Sequence, residues 1–180
     1  WLDQRGSGVL LHPTCFPGDQ GIGTLDYSAR LFIDFLSDSG MTHWQVCPLG
    51  PTGFGDSPYQ TFSAFAGNPY LIDLKQLIGV GLLAESDLEP FRFMPGSRTD
   101  FGLIYQSKLP TLQKAFLCFK EESNTRKELQ QSFAEFLDEH SHWLHTFGLF
   151  MAFKQKFEGR SWLEWPQIYR SYESISENDI

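Results

Sequence analysis

Two short apolar runs and the segment between them decide the fold. Residues 8–13 read Gly-Val-Leu-Leu-His-Pro, and residues 43–49 read His-Trp-Gln-Val-Cys-Pro-Leu. The first run is bounded by Gly and by His-Pro and is typical of a buried strand, and the second is typical of another strand. Between them, apolar residues recur at helical spacing, with Thr24 or Asp26 as the candidate N-cap and Gly40 as the stop. A strand, a helix and a strand at this spacing predict a βαβ unit, so the strands should be parallel neighbours in an α/β sheet or barrel.

The segment that follows the second run is long and has no regular period. It extends from Gly50 to Asp73, and it is rich in Gly, Pro, Ser and aromatic residues. Loops of this length inside compact domains are usually functional. This loop follows a strand of a parallel unit, and the carboxyl ends of such strands form the active-site face. We therefore expect the site in the loop at 49–70.

The rest of the chain is predicted to be mainly helical. The sequence thus divides into residues 1–75, which hold the first strands and helix with the loop, and residues 76–180, a helical subdomain. A first helical stripe is formed by Leu103, Ile104, Leu109, Leu112, Phe116 and Phe119, and Pro110 is expected to kink or break it. Further stripes begin near Leu129 and Trp143, and the last is expected to end at Gly159.

Composition and charge exclude several classes of function. The chain has 180 residues, 14 Lys+Arg against 22 Asp+Glu, and a formal net charge of −8. Nucleic acid and anionic membrane surfaces select clustered positive charge, so we expect neither as a partner. Three widely spaced cysteines, Cys15, Cys47 and Cys118, favour free thiols in a reducing, cytoplasmic setting.

Other familiar patterns are weak in this sequence. Gly21-Ile-Gly23 imitates a dinucleotide fingerprint, but Asp26 stands where that motif needs a small residue. The histidines at 140, 142 and 145 would not converge on one helix face, so no metal site is expected. Cys15 and Cys47 are interpreted as small core residues.

The loop itself carries the remaining chemistry. Short polar side chains alternate there with aromatic rings; the polar residues are Asp56, Ser57, Tyr59, Gln60 and Asn68, and the phenylalanines are Phe54, Phe62 and Phe65. Sugar hydroxyls bind amides and carboxylates, and the CH faces of sugars stack on rings. The pattern alone leaves two interpretations open, a carbohydrate-binding loop and a purely structural Gly/Pro loop.

Several blocks resemble one known family. They are Ser7-Gly-Val-Leu-Leu-His-Pro-Thr14, Pro48-Leu-Gly-Pro-Thr-Gly53, Gly55-Asp-Ser-Pro-Tyr-Gln60 and Phe62-Ser-Ala-Phe-Ala-Gly-Asn-Pro69. The chain resembles the N-terminal part of the 4-α-glucanotransferases of glycoside hydrolase family 77, also called amylomaltases or disproportionating enzymes. Later matches at Lys108-Leu-Pro, Trp143-Leu and Trp165-Pro166 extend the resemblance over nearly the whole chain.

The resemblance implies a (β/α)8 barrel that transfers a segment of an α-1,4-glucan to the 4-hydroxyl of an acceptor glucan or glucose. Such enzymes retain anomeric configuration through an Asp nucleophile and a Glu acid/base, while a second Asp stabilises the charge; they use no cofactor. None of those three carboxylates matches a position in this chain, and they are expected downstream of Ile180. A barrel of this type needs about 250 residues. The resemblance thus implies an N-terminal fragment with an incomplete barrel and a helical insertion, inactive alone.

Residue by residue, the resemblance assigns Tyr59 to the donor subsite, where its ring would stack on the sugar. Ser57, Asp56 and Gln60 lie in the same motif and are candidate hydroxyl contacts or loop supports. Phe54 and Phe101 stand where the family often has tyrosine, in a region that can form a remote glucan site. An alternative function is a truncated, non-catalytic α-glucan-binding protein, since the binding loop is present without the carboxylates.

Overall fold

The computed structural model describes residues 5–121 and 126–175, and, within these, every side chain except that of Phe54. Two strands, β1 (Gly8–Leu10) and β2 (His43–Gln45), flank the helix α1 (Tyr27–Asp38). They are followed by α2 (Leu74–Gly79), α3 (Phe101–Glu121), α4 (Lys127–Glu139) and α5 (Ser141–Lys156). Short 3-10 helices lie at Pro13–Cys15, Phe54–Asp56, Pro69–Leu71, Glu85–Phe91, Trp162–Glu164, Gln167–Tyr169 and Tyr172–Ser174.

The predicted βαβ unit is present and its strands are parallel. Gly8 pairs with His43, Val9 with Trp44 and Leu10 with Gln45. The Trp44 indole N–H donates to the Leu11 carbonyl at 2.7 Å, and its ring lies 5.3 Å from that of Phe32 on α1. This aromatic contact packs the helix against the strand pair.

The limits of α1 follow its capping residues. The Asp26 side chain accepts a hydrogen bond from the Ser28 amide at 2.7 Å, which identifies Asp26, of the two candidates, as the N-cap. Beyond the helix, Gly40 has φ 68°, and the Met41 amide donates to the Leu36 carbonyl. A glycine in this left-handed conformation is a common helix terminator, as the sequence predicted.

Both strands are shorter than the runs that predicted them, and the first is more exposed than expected. Each has three residues, and Leu10 is 63% exposed although it belongs to an apolar run. The expectation of a buried strand is therefore wrong for the described part of the chain. The physical reason is that a strand is buried by what packs on its faces, and the Phe32–Trp44 contact covers Trp44 but leaves Leu10 open.

The first compact unit spans Trp1–Arg126. Its core includes a cluster of Ile22, Tyr70 and Ile104, against which Met94 and Phe101 pack. Gln20 is buried beside α2, where its side chain bonds Asp73 and the Leu74 amide. These contacts join the loop after β1 to the segment that begins α2, and so they fix the C-terminal end of the 49–73 region.

Helix α3 differs from its sequence prediction in two ways. It continues through Pro110 over 21 residues, so the predicted break does not occur. Its buried residues are Ile104, Lys108, Thr111, Ala115 and Phe119. Leu109 and Phe116, which the predicted stripe included, are 43% and 48% exposed. Apolar residues surround much of this helix, so its periodicity allowed more than one buried face.

The second compact unit spans Lys127–Ile180 and contains α4 and α5. Its core packs Leu149 and Phe153 of α5 against Trp165. The chain turns after α5 at Gly159, which has φ 78°. The 75/76 boundary predicted from composition stays a prediction. No helix in the described ranges is long and apolar enough to cross a bilayer.

Candidate functional site

The candidate site is the loop at 49–70, which folds back on itself as an irregular hairpin. The Gly53 amide donates to the Gln60 carbonyl at 2.9 Å, and the Phe62 amide donates to the Pro51 carbonyl at 3.1 Å. Thr52 and Thr61 form an isolated antiparallel bridge. The base is closed by the Asn68 amide, which donates to the Leu49 carbonyl at 2.7 Å. These bonds hold residues 54–59 at the tip.

The tip has an unusual backbone conformation. Gly55 has φ 77° and the next residue, Asp56, has φ 55°. Positive φ is easy for glycine and uncommon for other residues, although Asp tolerates it better than most. The turn is closed by the Asp56 amide to the Gly53 carbonyl and by the Gln60 amide to the Ser57 carbonyl. This geometry brings the polar side chains of the motif together on one short segment.

The four predicted binding residues differ in exposure. Tyr59 is 75% exposed, and Gln60 is also exposed, whereas Asp56 and Ser57 are half-buried. The Tyr59 amide donates to the Ser57 hydroxyl at 3.4 Å. An open aromatic ring beside hydroxyl, carboxylate and amide groups can stack on a sugar face while bonding its hydroxyls.

Cys47 lies next to Tyr59 and is a neighbour that the sequence did not predict. Its Sγ lies 3.6 Å from the Tyr59 hydroxyl, within hydrogen-bonding distance for sulfur. The hydrogen bond with Cys47 raises the pKa of Tyr59 above its ordinary value, so the phenol stays protonated at neutral pH. The interpretation of Cys15 and Cys47 as core residues is wrong, because Cys15 is exposed and Cys47 is only half-buried. Neither cysteine lies in a strand: Cys15 ends the 3-10 helix Pro13–Cys15, and Cys47 is two residues beyond β2.

Tyr105 of α3 is the second residue that the sequence did not predict. Its hydroxyl donates to the Asp56 carboxylate, 49 residues away in the chain. Its ring meets that of Tyr70 edge-on at 5.8 Å. Burial, with a smaller effect from the Asp56 charge, raises the pKa of Tyr70 to about 12. Burial and the Asp56 hydrogen bond also raise the pKa of Tyr105, so both phenols are protonated at neutral pH.

The two candidate residues of the remote site are placed differently. Phe101, at the start of α3, packs partly buried against the cluster of Ile22, Tyr70 and Ile104. Its ring centroid is 6.5 Å from that of Tyr105. The Phe54 backbone belongs to the tip, but its side chain is outside the described set.

Gly23, in the segment before α1, allows two backbone segments to pack closely. A Cβ on Gly23 would collide with backbone atoms of Pro13 and Phe16. The Gly23 amide donates to the Thr14 carbonyl at 3.0 Å. The close approach of two backbone segments explains why this position is glycine. Dinucleotide binding is not needed to explain it.

Comparisons with known proteins agree on one family. The family model Glyco_hydro_77, described as 4-alpha-glucanotransferase, matches residues 11–179. The 4-alpha-glucanotransferase of Thermus thermophilus is 47% identical over 169 residues, which are 94% of this chain and 33% of that protein. The enzyme of that name from Streptococcus pneumoniae serotype 4 is 43% identical over 92% of this chain and 32% of its own length.

A solved structure is similar over nearly the whole chain. It is the amylomaltase from Streptococcus agalactiae in complex with acarbose, with a TM-score of 0.82 and 38% identity. The match covers 95% of this chain and 34% of the amylomaltase chain. This chain thus spans about a third of the length of the relatives it matches. It belongs to the Glyco_hydro_77 family of 4-alpha-glucanotransferases.

Proposed function

We propose that this chain forms the N-terminal third of a 4-α-glucanotransferase. The full-length protein would move a segment of an α-1,4-glucan onto the 4-hydroxyl of an acceptor glucan or of glucose. The observation that carries this proposal is the loop at 49–70, in which the exposed Tyr59 lies beside polar groups. The chain that contains this loop belongs to the family. The relatives are named as enzymes, which favours catalysis over a non-catalytic glucan-binding protein.

The proposed donor contacts are Tyr59, Ser57, Asp56 and Gln60. Tyr59 would stack its ring on the donor sugar, for which its 75% exposure leaves room. Ser57 and Gln60 would bond sugar hydroxyls, since a hydroxyl and an amide can both donate and accept. The similar amylomaltase was solved with acarbose, which supports a saccharide as the ligand of this fold.

In the proposed mechanism this chain binds and orients the donor but supplies none of the three reacting carboxylates. Retention would need a nucleophilic Asp and an acid/base Glu with carboxyl groups about 5–5.5 Å apart. These groups, with the charge-stabilising Asp, are proposed to come from the remainder of the protein. No cofactor is required by this chemistry, because the acid/base residue first protonates the leaving oxygen and then activates the acceptor hydroxyl.

The fold proposed for the full-length protein is a (β/α)8 barrel with a helical insertion. The parallel pairing of β1 with β2 around α1 supports this proposal, and the unit would form the first turn of such a barrel. Apolar side chains on α1 stay exposed, with Ile33 at 50% and Phe35 at 54%. Such faces are what the remaining strands and helices would cover. The three free cysteines support a reducing compartment, which we propose to be the cytoplasm.

A remote glucan site near Phe54 and Phe101 remains part of the proposal. Phenylalanine keeps the stacking face of tyrosine but has no hydroxyl to bond a sugar. We therefore expect this second site to bind glucan more weakly than a tyrosine-containing version. Amylose affinity electrophoresis of Phe101→Tyr in the full-length protein tests this, with stronger retardation as the expected result.

The test of the main function is maltotriose disproportionation by the full-length protein and by Tyr59→Ala. Removal of the stacking ring is expected to lower kcat/KM by about tenfold or more, since stacking on an aromatic ring contributes on the order of 1–3 kcal/mol. Tyr59→Phe, which keeps the ring, should retain most activity. The matched control is Tyr27→Ala, an exposed tyrosine on α1. An inactive wild type would refute the function, and near-normal Tyr59→Ala would remove Tyr59 from the site.

A further inference from the structure

We propose that Tyr105 is a positioning residue of the donor loop, whose hydroxyl holds the Asp56 carboxylate and thereby sets the arrangement of the loop tip. This inference rests on the proposed function, because the tip is the proposed donor site. Tyr105 lies on α3, outside the loop and outside the motif that indicated the site. It would act through Asp56 and would not itself touch the sugar.

The loop needs a restraint from outside. Its backbone bonds close the turn, and among the described residues the Asp56 side chain is hydrogen-bonded to Tyr105 and not to another loop residue. Asp56 has φ 55°, a conformation that L-residues adopt mainly where surrounding contacts hold them. The Tyr105 hydroxyl supplies such a contact, and it does so at the residue that directly precedes Ser57.

Tyr105 is 42% exposed, but its ring packs on one side against residues of the core. Its ring packs edge-on against Tyr70, which is only 6% exposed, and lies near the Phe101 ring. Tyr70 belongs to the buried cluster that includes Ile104, the neighbour of Tyr105 in α3. These contacts restrict the positions that the Tyr105 hydroxyl can take relative to the core. Asp56 is thus anchored to the core through one hydrogen bond.

The charge state of the pair suits this role. A phenol can donate to a carboxylate only while it is protonated, and burial with the Asp56 bond raises the pKa of Tyr105. Hydrogen bonds to an ionised acceptor are stronger than those between neutral groups. The contact is therefore expected to persist across the neutral pH range.

The experiment compares full-length wild type with Tyr105→Phe, which keeps the ring and removes only the hydroxyl. We expect kcat/KM for maltotriose to fall about tenfold, the effect of losing one charge-assisted hydrogen bond, mainly through a raised KM. The loss should disappear when the same change is made in an Asp56→Ala background, since the hydroxyl then has no partner. Tyr27→Phe, which removes an exposed hydroxyl on α1, is the control and should be unchanged.

A second readout does not need activity. Amide hydrogen exchange at residues 53–60 should become about tenfold faster in Tyr105→Phe and stay unchanged in Tyr27→Phe. Unchanged exchange in Tyr105→Phe, or an equal activity loss with and without the Asp56 side chain, would overturn the positioning role. Faster exchange in a protein whose wild type cannot disproportionate maltotriose would support the role and refute the proposed function instead.

Discussion

Gln20 and Asp73 lie 53 positions apart in the chain, and their side chains meet in a buried hydrogen bond of 2.6 Å. The same amide of Gln20 accepts from the backbone N–H of Leu74 at 3.0 Å. Asp73 also caps α2 by accepting from the Lys75 amide. One glutamine therefore links the loop after β1 to the end of the candidate-site segment, and it satisfies polar groups that water cannot reach.

Gln20→Ala should destabilise the protein by about 2–4 kcal/mol, because it removes a bond to a carboxylate and leaves the buried Leu74 N–H without its acceptor. Urea unfolding of the full-length protein measures the change. Gln155→Ala, at an exposed position of α5, is the control and should alter stability by no more than about 0.5 kcal/mol. Equal effects of the two variants would contradict the link.

Gly23→Ala should destabilise the protein by about 2 kcal/mol or more, since its Cβ would overlap backbone atoms of Pro13 and Phe16 that cannot rotate away. Gly67→Ala is a matched control, because no atom lies within 4 Å of a Cβ built there. Thermal unfolding of both variants checks the prediction. A midpoint for Gly23→Ala equal to that of Gly67→Ala would show that the two segments can separate at little cost.

Lys108 carries an ammonium group in a fully buried position, and its Nζ has no hydrogen-bond partner among residues 5–121 and 126–175. Burial lowers its pKa to about 8, despite attraction from Asp73 and Asp26. Replacing the charge with an apolar chain of similar length in Lys108→Met should therefore stabilise the protein at pH 7, by about 3 kcal/mol.

The pH dependence of this effect has a definite sign. Between pH 8 and about 10.5 the unfolded chain holds a proton on Lys108 that the folded protein has released, so wild-type stability rises with pH in that window. The advantage of Lys108→Met should thus shrink from pH 7 to pH 10. Urea unfolding at both pH values measures it, with the exposed Lys127→Met as control. A destabilised Lys108→Met at pH 7 would mean that the ammonium has a partner.

Pro110→Ala should stabilise the protein by about 1–2 kcal/mol. Pro110 lies inside α3, where its ring removes one backbone hydrogen bond and crowds the preceding turn. The greater freedom of the unfolded chain offsets part of this gain. Pro166→Ala is the control outside regular helix, at the N-cap of Gln167–Tyr169, and should lose about 0.4–1 kcal/mol. A lower unfolding midpoint for Pro110→Ala would contradict the prediction.

The local sequence determined the features that depend on neighbouring residues, such as the limits of a helix. Asp26 and Gly40 delimit α1, because a cap and a left-handed glycine act within one helical turn. The pairing of β1 with β2 followed from the length of the connection between them, which favours a parallel crossover. The blocks around residues 48–69 were sufficient to indicate the family that the comparisons confirm.

Tertiary structure alone decided which faces are buried and which distant residues meet. The buried face of α3 includes the polar residues Lys108 and Thr111, because apolar residues surround much of the helix and packing decided which face is covered. The bonds of Gln20 to Asp73 and of Tyr105 to Asp56 join residues about fifty positions apart, and no periodicity or spacing encodes such a contact. The sequence motif thus determines which side chains are present at the site. The distant residues that hold those side chains in place are determined only by the tertiary structure, because they come close only when the chain folds.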